Sequence, residues 1–302
     1  MPASAPASPC HADDARYLRA PVVAHRQIAD RTWRIRLDCP EIAARAVPGQ
    51  FAMLRIPDRA DPLLARPLAI YDTFAVGGMP RYADFVYLVH GKFTTALATL
   101  EAGDEVVAWG PLGNGFDPPA VDELLLVAGG IGQTALLALG RERLGAARYG
   151  APPRVASRAG RVTFCWGAGH GGMFGDVADF RSSGFDVHLA TLDGSVGLRG
   201  TVVDLLRERF AATSSSRSLH VACCGPERMM EAVSSWAAER GVGCDVSLEA
   251  PMACGVGICF TCVAKVRDGE GGWDYRRTCI EGPVFDSRRI VWDDDAAAGL
   301  QS

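Results

Sequence analysis

The feature that most constrains this chain is the run Cys254-Gly-Val-Gly-Ile-Cys259-Phe-Thr-Cys262, answered after a gap of sixteen residues by Cys279. The spacing C-x4-C-x2-C with a distant fourth cysteine is the plant-type [2Fe–2S] pattern, distinct from the tighter repeat of bacterial [4Fe–4S] sites. It predicts a cluster held by Cys254, Cys259, Cys262 and Cys279. Gly255 and Gly257 suit a loop that must curl around a cluster and turn backbone N–H groups towards sulfur. Zinc is the competing use of four cysteines. Such sites usually pair two C-x2-C units, and here the fourth cysteine stands alone.

The other residues must supply or receive the electrons. A length of 302 residues accommodates two or three domains. With 48% hydrophobic and 22% charged residues, the composition is that of an ordinary soluble globular protein. The net charge of −4 gives no reason to expect nucleic acid or an anionic membrane as partner. Apolar runs such as Leu124–Ala128 are far shorter than a membrane span. Residues 1–15, rich in Ala, Pro and Ser, lack the basic region and apolar core of a signal peptide and are read as a disordered tail. Of ten cysteines, three cluster near the end, which points to a metal site in a reducing cytoplasm rather than to disulfides. The six cysteines outside the motif are expected to be mostly buried and inert.

Residues 16–118 read as short strands with turns between them, which predicts a small antiparallel β-barrel. Strands are expected near 21–25, 32–37 and 50–56; Trp33, Ile35 and Leu37 alternate with Arg34, Arg36 and Asp38. Two stretches there suit an anionic cofactor. One is Arg66-Pro67-Leu68-Ala69, whose arginine can pair with phosphate. The other is Tyr87-Leu88 running through Gly91 into Phe93-Thr94-Thr95, where a threonine is expected to cap a helix. The loop Gly110-Pro-Leu-Gly-Asn-Gly-Phe116 is dense enough in glycine to approach a flat cofactor closely, or to serve as a linker.

From Glu123 the pattern alternates between strand and helix. Leu124–Ala128 reads as a strand buried on both faces. It runs into Gly129, Gly130 and Gly132, then a helix over 135–144, the strand–glycine–helix order of a nucleotide-phosphate site. A later strand ends in Cys224-Gly225-Pro226. The expected organisation is a barrel over 16–118, a Rossmann-like α/β domain over 119–243 and a cluster domain over 244–302.

The order of these motifs resembles one family over nearly the whole chain, from about Tyr17 to Val291: the electron-transfer subunit of B-type dihydroorotate dehydrogenase, within the ferredoxin–NADP⁺ reductase-like superfamily. The resemblance implies FAD on the barrel, NAD(H) as substrate of the α/β domain, and the [2Fe–2S] cluster near the C-terminus. It implies an FMN-containing dihydroorotate dehydrogenase catalytic subunit as partner, two of each in a heterotetramer, working in pyrimidine biosynthesis. Carried onto this chain, Arg66, Pro67, Leu68, Ala69, Tyr87, Leu88, Gly91, Phe93, Thr94 and Thr95 would meet FAD. Gly129, Gly130, Gly132, Cys224, Gly225 and Pro226 would meet the nicotinamide nucleotide, and the four cysteines the cluster.

Two positions depart from the family pattern. Ala69 stands where the family usually has a serine, and Phe93 where it usually has a glycine. Phe93 does not take positive φ cheaply. Either its ring stacks on the flavin or adenine, or the loop follows another path.

The cofactors belong together for a physical reason. A nicotinamide delivers two electrons as hydride and a [2Fe–2S] cluster takes one at a time, so a flavin or its equivalent must stand between them. No general acid, base or nucleophile is expected in this chain. The alternative within the superfamily is the small subunit of NADH-dependent ferredoxin:NADP⁺ oxidoreductase, also called sulfide dehydrogenase.

Overall fold

The computed structural model describes residues 11–210 and 217–292. Residues 1–10 of the expected tail, and the acidic run 293–295, lie outside the described residues. The tail reading fails at its inner end. His11–Asp14 form a 3-10 turn, and Ala12 and Ala15 pack against the apolar cluster around Met53 and Leu112.

Six strands close an antiparallel barrel: β1 (Arg16–Ala29), β2 (Thr32–Asp38), β3 (Phe51–Arg55), β4 (Arg66–Val76), β5 (Met79–Leu88) and β6 (Glu105–Leu112), in the order β1-β2-β5-β4-β3-β6. Closure removes exposed strand edges. The strand expected near residues 21–25 is the middle of a longer one: β1 pairs with β6 through its first half and with β2 through its second. Ile35 and Leu37 are fully buried in the barrel core, while Arg34 and Arg36 point outward to Asp84. Helix α1 (Pro40–Arg45) packs Ile42 into that core, and α2 (Lys92–Leu97) packs Phe93 and Leu97.

The second layer is a seven-stranded sheet flanked by helices. Its strands are β7 (Val121–Gly129), β8 (Ala159–Ala168), β9 (Asp186–Thr191), β10 (Leu198–Arg199), β11 (Leu219–Cys224) and β12 (Gly243–Ser247), with a last strand added after a hairpin of β13 (Val263–Arg267) and β14 (Trp273–Arg277). That last strand is β15 (Val284–Asp286), and the order is β10-β9-β8-β7-β11-β12-β15. All pairings are parallel except β12 with β15. Helices α3 (Leu137–Leu144), α4 (Val177–Ser182), α5 (Val202–Arg209) and α6 (Glu227–Ala238) complete the domain. Leu124–Ala128 are fully buried in mid-sheet, the reason for the unbroken apolar run. The chain leaves β7 for β8 and β9 on one side and returns to β11 and β12 on the other. The carboxyl ends of β7 and β11 therefore form the switch point where such sheets bind ligands. The helix expected over 135–144 begins earlier, as a 3-10 segment Gly130–Ala135, before α3.

A boundary at residue 243 or 244 falls at the very start of β12, which belongs to the seven-stranded sheet. The cluster segment is instead an excursion over 248–283, held at both ends by the adjacent strands β12 and β15.

Polar contacts lock the layers together. Arg34 on the barrel donates to Asp84 of its own barrel at 2.6 Å, and to Asp176 and Asp179 at the start of α4 at 2.7 and 2.6 Å. Asp72, almost fully buried, accepts from Tyr149 Oη at 2.6 Å and pairs with Arg141 of α3.

Candidate redox site

The cysteine loop lies against the barrel. Met53 on β3 and Leu112 on β6 support it: a Cβ on Gly255 would stand 2.6 Å from Met53 Cγ. Trp109 Nε1 donates to the carbonyl oxygen of Cys254 at 2.9 Å. Gly255 and Gly257 both take positive φ, +72° and +82°, as the curl requires. Arg277 donates to Gly257 O at 2.9 Å and lies over the Phe260 ring.

Electrostatically the four thiols couple in two pairs, Cys254 with Cys259 and Cys262 with Cys279. Among the described residues no three ligands converge on a point that would hold one ion. Two thiol pairs suit a two-iron cluster, in which each iron takes two cysteines. The Thr261 hydroxyl, 3.2 Å from Cys259 Sγ, its backbone N–H and the Cys254 thiol bring the Cys259 thiol down to about 6. Hydrogen bonding from the Cys279 thiol brings Cys262 down to about 5, and Cys279 is raised in exchange. Val256 N–H points to Cys254 Sγ at 3.4 Å. Thiolates and N–H···S contacts are what a cluster needs. By contrast, burial pushes Cys39, Cys165, Cys224 and Cys244 up to about 12, so these remain neutral thiols.

The barrel residues singled out in the sequence gather along β4 and the end of β5. Pro67 pairs across β3 with Met53, which also faces Trp109 on β6. The Arg66–Ala69 strand is thus one strand away from the residue under the cluster loop. Arg66 is exposed; its Nη1 donates to the Ala65 carbonyl at 3.0 Å and to the Leu64 carbonyl at 3.5 Å, and its Nε and Nη2 have no protein partner among the described residues. Leu68 and Ala69 are half-buried.

Three expectations need correction here. The Tyr87 side chain turns into the barrel and hydrogen-bonds His25 at 2.8 Å, so only its backbone faces the loop end. The Phe93 ring is buried in the barrel core and does not stack on a cofactor. Gly91, at φ +87°, makes the turn, so Phe93 enters α2 with no positive φ of its own. Neither Thr94 nor Thr95 is the helix cap: Gly91 holds that position, and Thr94 Oγ1 accepts from His90 N–H at 2.7 Å.

The loop Gly110–Phe116 also differs from a cofactor-facing turn. Its first three residues finish β6, and its tip binds the far end of the chain. Asn114 Nδ2 donates to Val284 O at 2.8 Å, and Val284 N–H donates back to Asn114 Oδ1 at 3.1 Å. A Cβ on Gly113 would stand 2.4 Å from Pro283 Cδ, so its close neighbour is protein.

In the α/β domain the two predicted turns touch one another. A Cβ on Gly132 would stand 2.1 Å from the Cys224 carbonyl oxygen, and one on Gly129 2.8 Å from Pro226 Cδ. Gly130, Gly132, Cys224, Gly225 and Pro226 therefore form one continuous floor at the switch point. Trp166 Nε1 donates to Gly130 O at 2.8 Å and fixes the loop. Gly130 also faces Leu88 of the barrel across a narrow cleft. Met53 is the residue that sequence reasoning missed, because an apolar residue in a strand carries no signal of what lies above it.

Comparison with known proteins agrees with this geometry. Residues 249–291 match the family described as the iron-sulfur cluster binding domain of dihydroorotate dehydrogenase B. The chain is 35% identical over 275 residues to the dihydroorotate dehydrogenase B (NAD(+)) electron transfer subunit of Desulforamulus reducens, covering 91% of this chain and 98% of that one. Among solved structures, the NADH-dependent reduced ferredoxin-NADP oxidoreductase superposes with a TM-score of 0.75 at 26% identity, covering 94% of this chain and 93% of that one. Phthalate dioxygenase reductase, described as a modular structure for electron transfer from pyridine nucleotides to [2Fe–2S], shares the fold at a TM-score of 0.57 and 16% identity, over 88% of this chain and 96% of that one. This chain belongs to the family of dihydroorotate dehydrogenase B electron transfer subunits.

Proposed function

We infer that this chain passes electrons between NAD(H) and the FMN-containing catalytic subunit of a dihydroorotate dehydrogenase, through FAD and a [2Fe–2S] cluster. The observation that carries the reading is the position of Met53. Its strand pairs with the Arg66–Ala69 strand on one side and with Trp109 on the other, and its side chain supports the cysteine loop. A flavin on β4 and a cluster in the loop would be separated by one strand of packed protein.

The flavin, when bound, supplies the conversion between hydride and single-electron transfer. The chain's own residues do the positioning. Arg66 offers its Nε and Nη2 donors to a pyrophosphate, and Gly91 to Thr95 offer a backbone turn into α2. The floor of Gly129, Gly130, Gly132, Cys224, Gly225 and Pro226 receives the nicotinamide nucleotide. Cys254, Cys259, Cys262 and Cys279 hold the cluster, and Trp109 fixes the first of them to the barrel. Ile258 and Phe260 are 78% and 64% exposed beside exposed Cys259, so the cluster's outer face is apolar and suited to docking the catalytic subunit. A heterotetramer of two of each subunit, in the cytoplasm, completes the reading. No described helix is long and apolar enough to cross a membrane.

Protein purified anaerobically with its partner tests the proposal by absorption spectrum, iron analysis and orotate-dependent NADH oxidation. A complex containing FMN that reduces orotate supports it. A co-purifying subunit carrying a second FAD and [4Fe–4S] clusters would overturn it. Cys259→Ser should abolish the cluster signal while NADH oxidation by an artificial acceptor survives.

A further inference from the structure

The cleft between barrel and α/β domain contains one polar group with no partner. Gln133 is 2% exposed, and its Oε1 makes no hydrogen bond. It lies in the 3-10 segment Gly130–Ala135, directly after the glycine turn. Around it the cleft is lined by Thr32 and Leu88 from the barrel, and by Gly130, Ile131, Trp166 and Met173 from the α/β domain. A buried, unpartnered amide oxygen is costly, and native proteins keep very few of them. Nothing in the packing of the loop needs an amide there. A methionine would fill the same volume without the cost.

We propose that Gln133 Oε1 accepts a hydrogen bond from the carboxamide N–H of the nicotinamide, and so sets the ring in register between Gly130 and Leu88. The inference rests on the reading of the Gly129–Gly132 turn as a nicotinamide-nucleotide site. The polar side-chain groups of the lining are the Gln133 amide, the Trp166 indole N–H and the Thr32 hydroxyl, and that hydroxyl already has a partner, donating to Asp30 O at 3.0 Å. A reduced nicotinamide ring matches such a lining, being uncharged with a single amide substituent. The Gly130 carbonyl already accepts from Trp166, whereas Gln133 Oε1 has no hydrogen bond at all among the described residues.

The test compares NAD⁺ with 3-acetylpyridine adenine dinucleotide, which keeps the ring carbonyl but lacks the amide N–H. Dissociation constants are measured by titration on the FAD- and cluster-loaded complex. Wild type should bind NAD⁺ about tenfold more tightly than the analogue, the scale of one net hydrogen bond into a buried acceptor. Gln133→Met should erase that preference by weakening NAD⁺ alone. Its FAD content should be unchanged and its melting temperature in the absence of dinucleotide equal or higher. Equal affinities in wild type would overturn the role of Gln133, and that comparison stands even if the variant does not fold. A variant that weakens both dinucleotides alike, or melts lower without them, would also overturn it, since Gln133 would then be serving the fold through a bound water. Failure of wild type to bind either dinucleotide would overturn the nicotinamide site itself and the proposed function with it.

Discussion

The indole Nε1 of Trp109 donates to the carbonyl oxygen of Cys254 at 2.9 Å, tying the last turn of the barrel's sixth strand to the first cysteine of the cluster loop. The Trp109 ring is itself stacked on Tyr17, with centroids 6.0 Å apart. Trp109→Phe keeps an aromatic ring against Tyr17 and removes the donor together with part of the indole's packing. The expected cost is about 1 kcal/mol, felt locally by the loop rather than by the barrel. The variant should retain FAD and lose its cluster several-fold faster under chelator, followed by the decay of visible absorption. An unchanged rate of cluster loss would show that the loop does not depend on the barrel for its shape.

Asn114 offers a second hold on the same segment. Its side-chain amide satisfies both the N–H and the carbonyl of Val284, the first residue of the strand that ends the cluster excursion. Asn114→Leu leaves two backbone groups unsatisfied at a half-buried site, at a cost of about 2–3 kcal/mol. Cluster incorporation should fall before FAD binding does. Iron-to-flavin ratios of the purified variant measure this directly, and a ratio equal to wild type would count against the clasp.

The two residues differ in how far the sequence revealed them. The iron–sulfur segment was legible because three of its cysteines lie within nine residues at a spacing that suits a cluster, and the matched family covers residues 249–291. The barrel and the α/β sheet were legible because alternation in Thr32–Leu37 and the unbroken run Leu124–Ala128 reflect burial directly. Asn114 was quoted in a glycine-rich loop, yet its partner lies 170 residues away, and the glycines around it were read as space for a cofactor or as a linker. Phe93 and Tyr87 were read towards the flavin because they sit in a cofactor motif. Their rings turn into the barrel, where aromatic burial outweighs the motif's suggestion. Gln133 carried no signal at all, since a missing hydrogen-bond partner exists only in three dimensions.

Arg34 is the electrostatic bolt between the two large domains. It is nearly buried and serves Asp84 on the barrel and Asp176 and Asp179 on α4. Arg34→Met strands Asp84, which is 1% exposed and would keep only Arg36 as partner. Losing one charged hydrogen bond from an Asp84 that keeps Arg36 costs about 1.5–3 kcal/mol. The melting temperature should therefore fall by several degrees. NADH reduction of bound flavin should slow as well, because the loop proposed to receive the nicotinamide is carried on the domain that Arg34 holds. Arg34→Lys should recover little of the loss, since one ammonium does not reproduce three directed donors. A melting temperature within a degree of wild type would mean that the apolar interface alone sets the domain geometry.

His25 gives the barrel a stability that depends on pH. Its Nδ1 lies 2.8 Å from the Leu100 carbonyl, which can only accept, so Nδ1 carries the proton. Nε2 then accepts from Tyr87 Oη, also at 2.8 Å. Burial pushes the imidazole below its ordinary value, with the Leu100 carbonyl opposing in part. The sign follows from proton counting. Below an unfolded value of about 6.5 the unfolded chain takes up a proton that the folded barrel resists. The stability is whole above that value and is lost as pH falls below it, until the folded imidazole also protonates. The melting temperature should therefore drop between pH 7.5 and 5.5, and His25→Gln, which cannot titrate, should drop by less over the same interval. Thermal unfolding of both proteins at the two pH values makes the comparison. Parallel declines would place the acid sensitivity elsewhere in the molecule.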